Sequence, residues 1–323
     1  LTREGLTFFC LFETFFPVFF LFGKSLFMLL TDENFLVPSI SMGLFLKSLR
    51  INLTSTLICS GMGFIAVLFI WTYFEKTRKR AFYILAFSAL IPPFIHAHSW
   101  IKFIDSINEI IFSISGILPD FTGEGAVVAV TAFSYLPFTA ALCLFGLLSI
   151  PSDIFDSIRT EKFSITVYYK IIFPFILSYI LVGMLFVFLL NINEYAIPSV
   201  FGVNVYALEL FAIFSATGNL YTTALASWPL IILSLTLLFL LYLIINKTEI
   251  SENFTDNKNY FKNENSMKIL NVTGGIIILF FAVVPLVSMV VESFTVNNLL
   301  GIIKNSSEQF VYSYFSGAIT AVL

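Results

Sequence analysis

Charge is scarce in this chain. Only 11% of its 323 residues are Asp, Glu, Lys or Arg, against about 25% in ordinary soluble domains. The net charge is −3 and no long basic block occurs, so nothing points to nucleic acid as a partner. Cysteine is nearly absent too. Cys10, Cys59 and Cys143 sit singly in apolar runs, with no metal or redox spacing, and read as buried thiols. The two histidines, His96 and His98, are about 200° apart on a helix and cannot share one ion there. No acidic residues have the spacing of a metal site, and no metal ligands are assigned. G-x-x-x-x-G-K-[ST] occurs nowhere, so the chain has no means of its own to hydrolyse ATP. No Ser/His/Asp set or carboxylate pair can be assembled. These gaps exclude a soluble enzyme and leave an intramembrane enzyme without a catalytic pair. No cofactor bound by this chain is expected.

What the chain has in abundance is apolar length. Hydrophobic residues make up 58% of it, with 40 Phe alone. A membrane span needs about 20 mostly apolar residues. Spans are expected over 7–30, 53–74, 81–100, 126–148, 172–190 and 228–245, the third interrupted by Pro92 and Pro93. The fold class is therefore all-α, a polytopic membrane protein with a six-span unit over 1–245. The first apolar run is too long for a signal peptide and lacks a small-residue cleavage site. Lys76, Arg78, Lys79 and Arg80 follow the second span, and lysine and arginine are retained on the cytoplasmic side. Alternation then places the N-terminus, residues 149–174 and the segment after the sixth span inside. Most of the 17 basic residues fall on that side; Lys24, Lys47, Arg50, Lys102 and Lys304 fall at the outer edge.

Residues 148–174, LSIPSDIFDSIRTEKFSITVYYKIIFP, join the fourth span to the fifth. Pro151 suits the first position of a helix. Asp153 and Asp156 come early and Arg159 and Lys162 late, the order a helix dipole favours. Ile150, Ile154 and Ile158 recur every fourth residue and give one apolar stripe. Such a helix either couples the spans to a cytoplasmic partner or simply lies on the bilayer surface. Residues 246–268 are rich in Asn, Lys and Glu and read as a flexible cytoplasmic linker. After it the sequence restarts. The stretch from Gly275 aligns with that from Thr7, matching Pro285 to Pro17 and Ser293 to Ser25. Further on, Ser313 matches Ser48. Residues 269–323 are thus expected to begin a second copy of the six-span unit, one that stops inside a span.

The 149–174 stretch resembles the coupling loop of bacterial ABC-transporter permeases, which in the ferric-iron branch reads roughly P-x-x-x-E-E-A-A-R-x-x-G. Pro151 leads, Asp156 stands at the second acid, Ser157 and Ile158 at the alanines, and Arg159 at the arginine. Ile154 lies on the apolar stripe. Lys162 replaces the glycine, and Phe173-Pro174 closes the motif about one residue early. Three further stretches match the same family in order: Pro92-Pro93 through Trp100, Tyr135-Leu136-Pro137, and Asn193-Glu194-Tyr195-Ala196-Ile197-Pro198 through Gly202. The resemblance implies the membrane subunit of an ATP-driven importer, for ferric iron, in the bacterial inner membrane. It implies cytoplasmic ABC ATPase subunits that bind ATP, an extracytoplasmic substrate-binding protein, and membrane lipid as surroundings. Pro151, Ile154, Asp156, Ser157, Ile158, Arg159, Lys162 and Pro174 would engage the ATPase.

Asn193, Glu194 and Pro198 are candidates for the translocation path, because ionisable groups at membrane depth usually face protein interior or water. The alternative is that Glu194 stabilises the turn before Pro198. The competing function is a gradient-driven secondary transporter or channel, which would want intramembrane acids or glycine-broken helices in mid-span.

Overall fold

The computed structural model describes residues 3–31, 40–89, 91–116, 122–150, 170, 173–247, 265–295 and 299–322. Among them every regular element is a helix. In chain order these are α1 (Arg3–Thr31), α2 (Met42–Tyr73), α3 (Arg78–Ser88), α4 (Pro93–Ser115), α5 (Gly123–Leu148), α6 (Phe173–Ile192), α7 (Ala196–Val200), α8 (Tyr206–Thr217), α9 (Leu220–Ala226), α10 (Trp228–Lys247), α11 (Asn265–Thr295) and α12 (Leu299–Val322). A single 3-10 turn, Glu75–Thr77, links α2 to α3.

Four of these helices are long and apolar enough to cross a membrane: Met42–Tyr73, Gly123–Leu148, Phe173–Ile192 and Trp228–Asn246. Their outer faces carry exposed Leu53, Leu57, Phe175, Leu181, Leu235 and Phe239. In water that much contiguous apolar surface is untenable; in a bilayer it meets lipid. The chain is an all-α membrane protein.

Local chemistry sets the helix ends. Ser41 begins α2 by accepting Leu44 N–H at 3.1 Å, which satisfies one of the free donors of the first turn. At the other end Arg78 turns back. Its Nε and Nη2 donate to the Trp71 carbonyl at 3.2 and 2.8 Å, and its guanidinium lies 3.8 Å from the Trp71 ring centroid. Arg78 is 2% exposed. It therefore closes the C-terminal end of α2, where a cation is favoured.

The apolar stretch expected over 81–100 does not form one span. It is divided between α3 and α4, which begins at Pro93 after an extended Pro92. Proline lacks the N–H needed to continue a helix but fits its first turn. α4 then continues through the mixed polar and apolar residues 102–115 and ends at Gly116, whose φ of 71° only glycine adopts freely. The connection between α6 and α10, which hydropathy leaves blank, holds α7, α8 and α9. Gly218 ends α8 in the same left-handed conformation, and Asn219 caps α9 by accepting Tyr221 and Thr222 N–H.

The core lies where α2, α5 and α6 meet. Ala66, Val67 and Trp71 of α2 pack with Leu136, Ala140 and Leu144 of α5 and Ile176 and Val187 of α6. The helices approach closely through glycine. A Cβ on Gly146 of α5 would sit 2.8 Å from the Tyr179 ring of α6, and one on Gly63 of α2 would collide with the Thr139 hydroxyl of α5. α11, from beyond the linker, packs against α2 and α4. Gly274 there lies on the Ile65 carbonyl, Asn271 meets Thr72 at 3.2 Å, and Phe280 stacks parallel to Trp100 at 6.4 Å. α1 packs against α9, with Lys24 4.9 Å above the Tyr221 ring.

Candidate functional site

Pro151, Ile154, Asp156, Ser157, Ile158, Arg159 and Lys162 lie outside the described residues. The helices on either side of that segment are described. α5 delivers the chain to it through Ser149 and Ile150, which are 8% and 2% exposed. Ser149 Oγ donates to the Phe145 carbonyl at 2.9 Å and closes the last turn. On the far side α6 starts at Phe173, and Pro174 occupies its exposed second position. Proline is tolerated there because first-turn N–H groups have no partner within the helix.

The segment after α6 forms a compact turn built on Glu194. One carboxylate oxygen accepts the backbone N–H groups of Ala196 and Ile197, at 2.7 and 3.3 Å. The carboxylate thus sits at the N-terminus of α7, where negative charge is favoured. The other oxygen accepts the Tyr135 hydroxyl of α5 at 3.0 Å. Pro198 is buried, and its carbonyl accepts Val203 N–H at 2.9 Å. Gly202, with φ 65°, completes the reversal. Glu194 is therefore occupied in holding the turn before Pro198 and in tying it to α5.

Asn193 points elsewhere. It is exposed, donates from its amide to the Leu189 carbonyl at 3.0 Å, and borders a cleft of about 410 Å³ with Tyr195, Phe211, Ser227 and Ser234. The structure thus separates the three translocation-path candidates. Asn193 faces the cleft, Glu194 faces α5, and Pro198 is packed inside.

A polar cluster that hydropathy passes over lies beneath this turn. Asn191, the penultimate residue of α6, is fully buried. Its amide donates to Ser55 Oγ and Thr56 Oγ1 of α2 at 3.2 and 3.0 Å. Along the same seam Thr139 of α5 donates to the Cys59 carbonyl of α2 at 3.2 Å. Asn191 and Thr139 each interrupt an apolar run, which is the signal that marks them in the sequence; Ser55 and Thr56 carry no such mark. A buried polar side chain needs a partner, and these partners come from neighbouring helices. The cluster fixes how α2, α5 and α6 align.

Cys59 and Cys143 are buried thiols. His96 is fully buried while His98, on the same helix, is exposed. Among the described residues no group of three His, Cys, Asp or Glu could hold a metal ion. At the opposite end of α2 from Lys76, Arg78, Lys79 and Arg80, Glu124 at the start of α5 pairs with Lys47 at 3.4 Å and with Arg50 of α2. No protein-family model matches the chain, and no curated protein matches it either.

Proposed function

We propose that the chain is a membrane-spanning permease subunit of an ATP-driven ABC importer that takes up ferric iron from an extracytoplasmic binding protein. The observation that carries this reading is the coupling-loop pattern over 151–174, from Pro151 through Arg159 to Pro174, set between α5 and α6. Those two helices are the right ones to receive a mechanical input. They pack on each other and on α2, with no room for a Cβ at Gly146 or Gly63. The middle of α5 is also tied to the turn after α6, through Tyr135 and Glu194. A displacement of the loop would move a packed unit rather than a single helix.

In this mechanism ATP closes a dimer of partner ATPases in the cytoplasm. Each ATPase holds a coupling helix in a surface groove. Ile154 and Ile158 pack in the groove, and Asp156 and Arg159 set the register. The spans then rock between inward and outward openings, because the two states contact the ATPase differently. ATP hydrolysis belongs to the partner, and this subunit carries no catalytic group.

Ile158→Asp tests the reading. The charged side chain is expected to abolish ATP-dependent uptake while membrane insertion and the partner's ATPase activity persist. Undiminished uptake by that variant would contradict it. The buried polar cluster of Asn191, Ser55 and Thr56 favours a second reading, a gradient-driven transporter, because polar groups inside spans often line a path. Uptake into ATP-depleted vesicles under an imposed ion gradient separates the two.

A further inference from the structure

A lateral groove of about 710 Å³ opens between α3, α5, α6 and α10. That volume lies within the range of about 300–1,000 Å³ typical of small-molecule pockets. Its floor is made of small residues, Ala86 and Ala141, and its walls of Phe82, Phe138 and Phe186. Apart from the Tyr242 hydroxyl, its lining side chains are hydrocarbon throughout.

The groove occupies a definite depth. It runs from Phe82 to Ala89 along α3 and from Leu238 to Ile245 along α10. Seven residues at 1.5 Å each give a length of about 10 Å, less than one leaflet of a hydrocarbon core about 30 Å thick. Phe82, Phe145 and Ile245 lie nearest the end that carries the basic cluster, which lysine and arginine retention makes cytoplasmic.

That end is also the charged one. Lys79 is one turn before Phe82, and Lys79, Phe82 and Ala86 share a face of α3. Lys76 and Arg80 flank it, exposed, while Arg78 is turned inward onto Trp71. Lys170, exposed, precedes α6, and Lys247 is the last residue of α10. Three of the four helices that form the groove thus bring a cation to its cytoplasmic end. The acids adjoining them in sequence are Glu75 and Glu249.

We infer that this groove holds an acyl chain of an anionic phospholipid of the cytoplasmic leaflet, whose phosphate is bound by Lys79 and its basic neighbours. An unbranched hydrocarbon tail fits the narrow, small-floored slot. The cations above it favour a headgroup of net negative charge over a zwitterionic one, whose ammonium offsets its phosphate. Binding here would brace α3 and α10 against α5 and α6.

Native mass spectrometry of the full chain in detergent tests this, with phosphatidylglycerol and phosphatidylethanolamine of identical acyl chains as the probes. The wild type is expected to retain phosphatidylglycerol preferentially. Lys79→Gln, at an exposed position, is expected to lower that preference about fivefold, the scale of one basic side chain at an anionic surface. Ala86→Trp, also at an exposed position, fills the slot and is expected to remove tight retention of either lipid. Equal retention of the two lipids by the wild type would overturn the inference. So would retention unchanged by Ala86→Trp. A disulfide between two copies through Ala86→Cys in native membranes would assign the groove to a second chain and also overturn it.

Discussion

The Tyr135 hydroxyl donates to Glu194 Oε2 at 3.0 Å, joining the middle of α5 to the turn that follows α6. The same carboxylate caps α7 through Ala196 and Ile197. One side chain therefore fixes both the local turn and its attachment to the core helix.

That arrangement predicts an order of damage. Tyr135→Phe removes one bond to a charged acceptor and is expected to cost about 1–3 kcal/mol. Glu194→Ala removes the same bond and also releases two backbone donors, so it is expected to cost more. The double variant should be no worse than Glu194→Ala by more than a few tenths, because the pair acts as one unit. Thermal unfolding midpoints in detergent measure all three. Additive losses would show that the two residues act separately.

Glycine positions give a second, paired expectation. Gly146→Ala forces a methyl to within 2.8 Å of the Tyr179 ring and is expected to destabilise by about 1–3 kcal/mol, as overpacking does. Gly61→Ala on α2 meets nothing within 4 Å and is expected to be neutral or to stabilise by up to about 1 kcal/mol through helix propensity. Equal effects in an unfolding assay would mean that α5 and α6 are not in close contact at Gly146.

The helix beyond the linker supplies a third. Asn271 of α11 lies 3.2 Å from Thr72 of α2, and Gly274 rests on the Ile65 carbonyl. With the native cysteines replaced, Thr72→Cys and Asn271→Cys together are expected to form a disulfide under mild oxidation. Adding Gly274→Val is expected to reduce its yield severalfold by lifting α11 off α2. A disulfide indifferent to Gly274→Val would show that the seam is not a tight one.

How far these features can be read from sequence depends on which period dominates locally. The spans at α2, α5, α6 and α10 are legible because about 20 apolar residues in a row admit few alternatives. The break at Pro92 and Pro93 is legible for the same kind of reason, a missing N–H. The extension of α4 to Ser115 is harder. Phe103, Ile107, Ile110 and Ile114 keep a helical period there, but Lys102, Asp105 and Glu109 on the other face mask it from hydropathy. α8 and α9 are too short to register as spans, and Gly218 and Asn219 are their clearest marks. At the candidate site, Glu194 stands out because it is charged. Its partner Tyr135 does not, since nothing local distinguishes a tyrosine with a distant acceptor from one that faces lipid. The same holds for Ser55 and Thr56, whose meaning depends on Asn191 more than a hundred residues away.

We propose that residues 151–162 dock on an ATPase. A cysteine at Ser157, with Cys10, Cys59 and Cys143 replaced, tests this docking, paired with a cysteine in the surface groove of the ABC ATPase that the proposal requires. The account predicts a disulfide between the two proteins whose yield changes when ATP is added. Absence of that disulfide, in a subunit shown to be folded and inserted, would contradict the account and leave 149–174 as a connection between α5 and α6 without an ATPase partner.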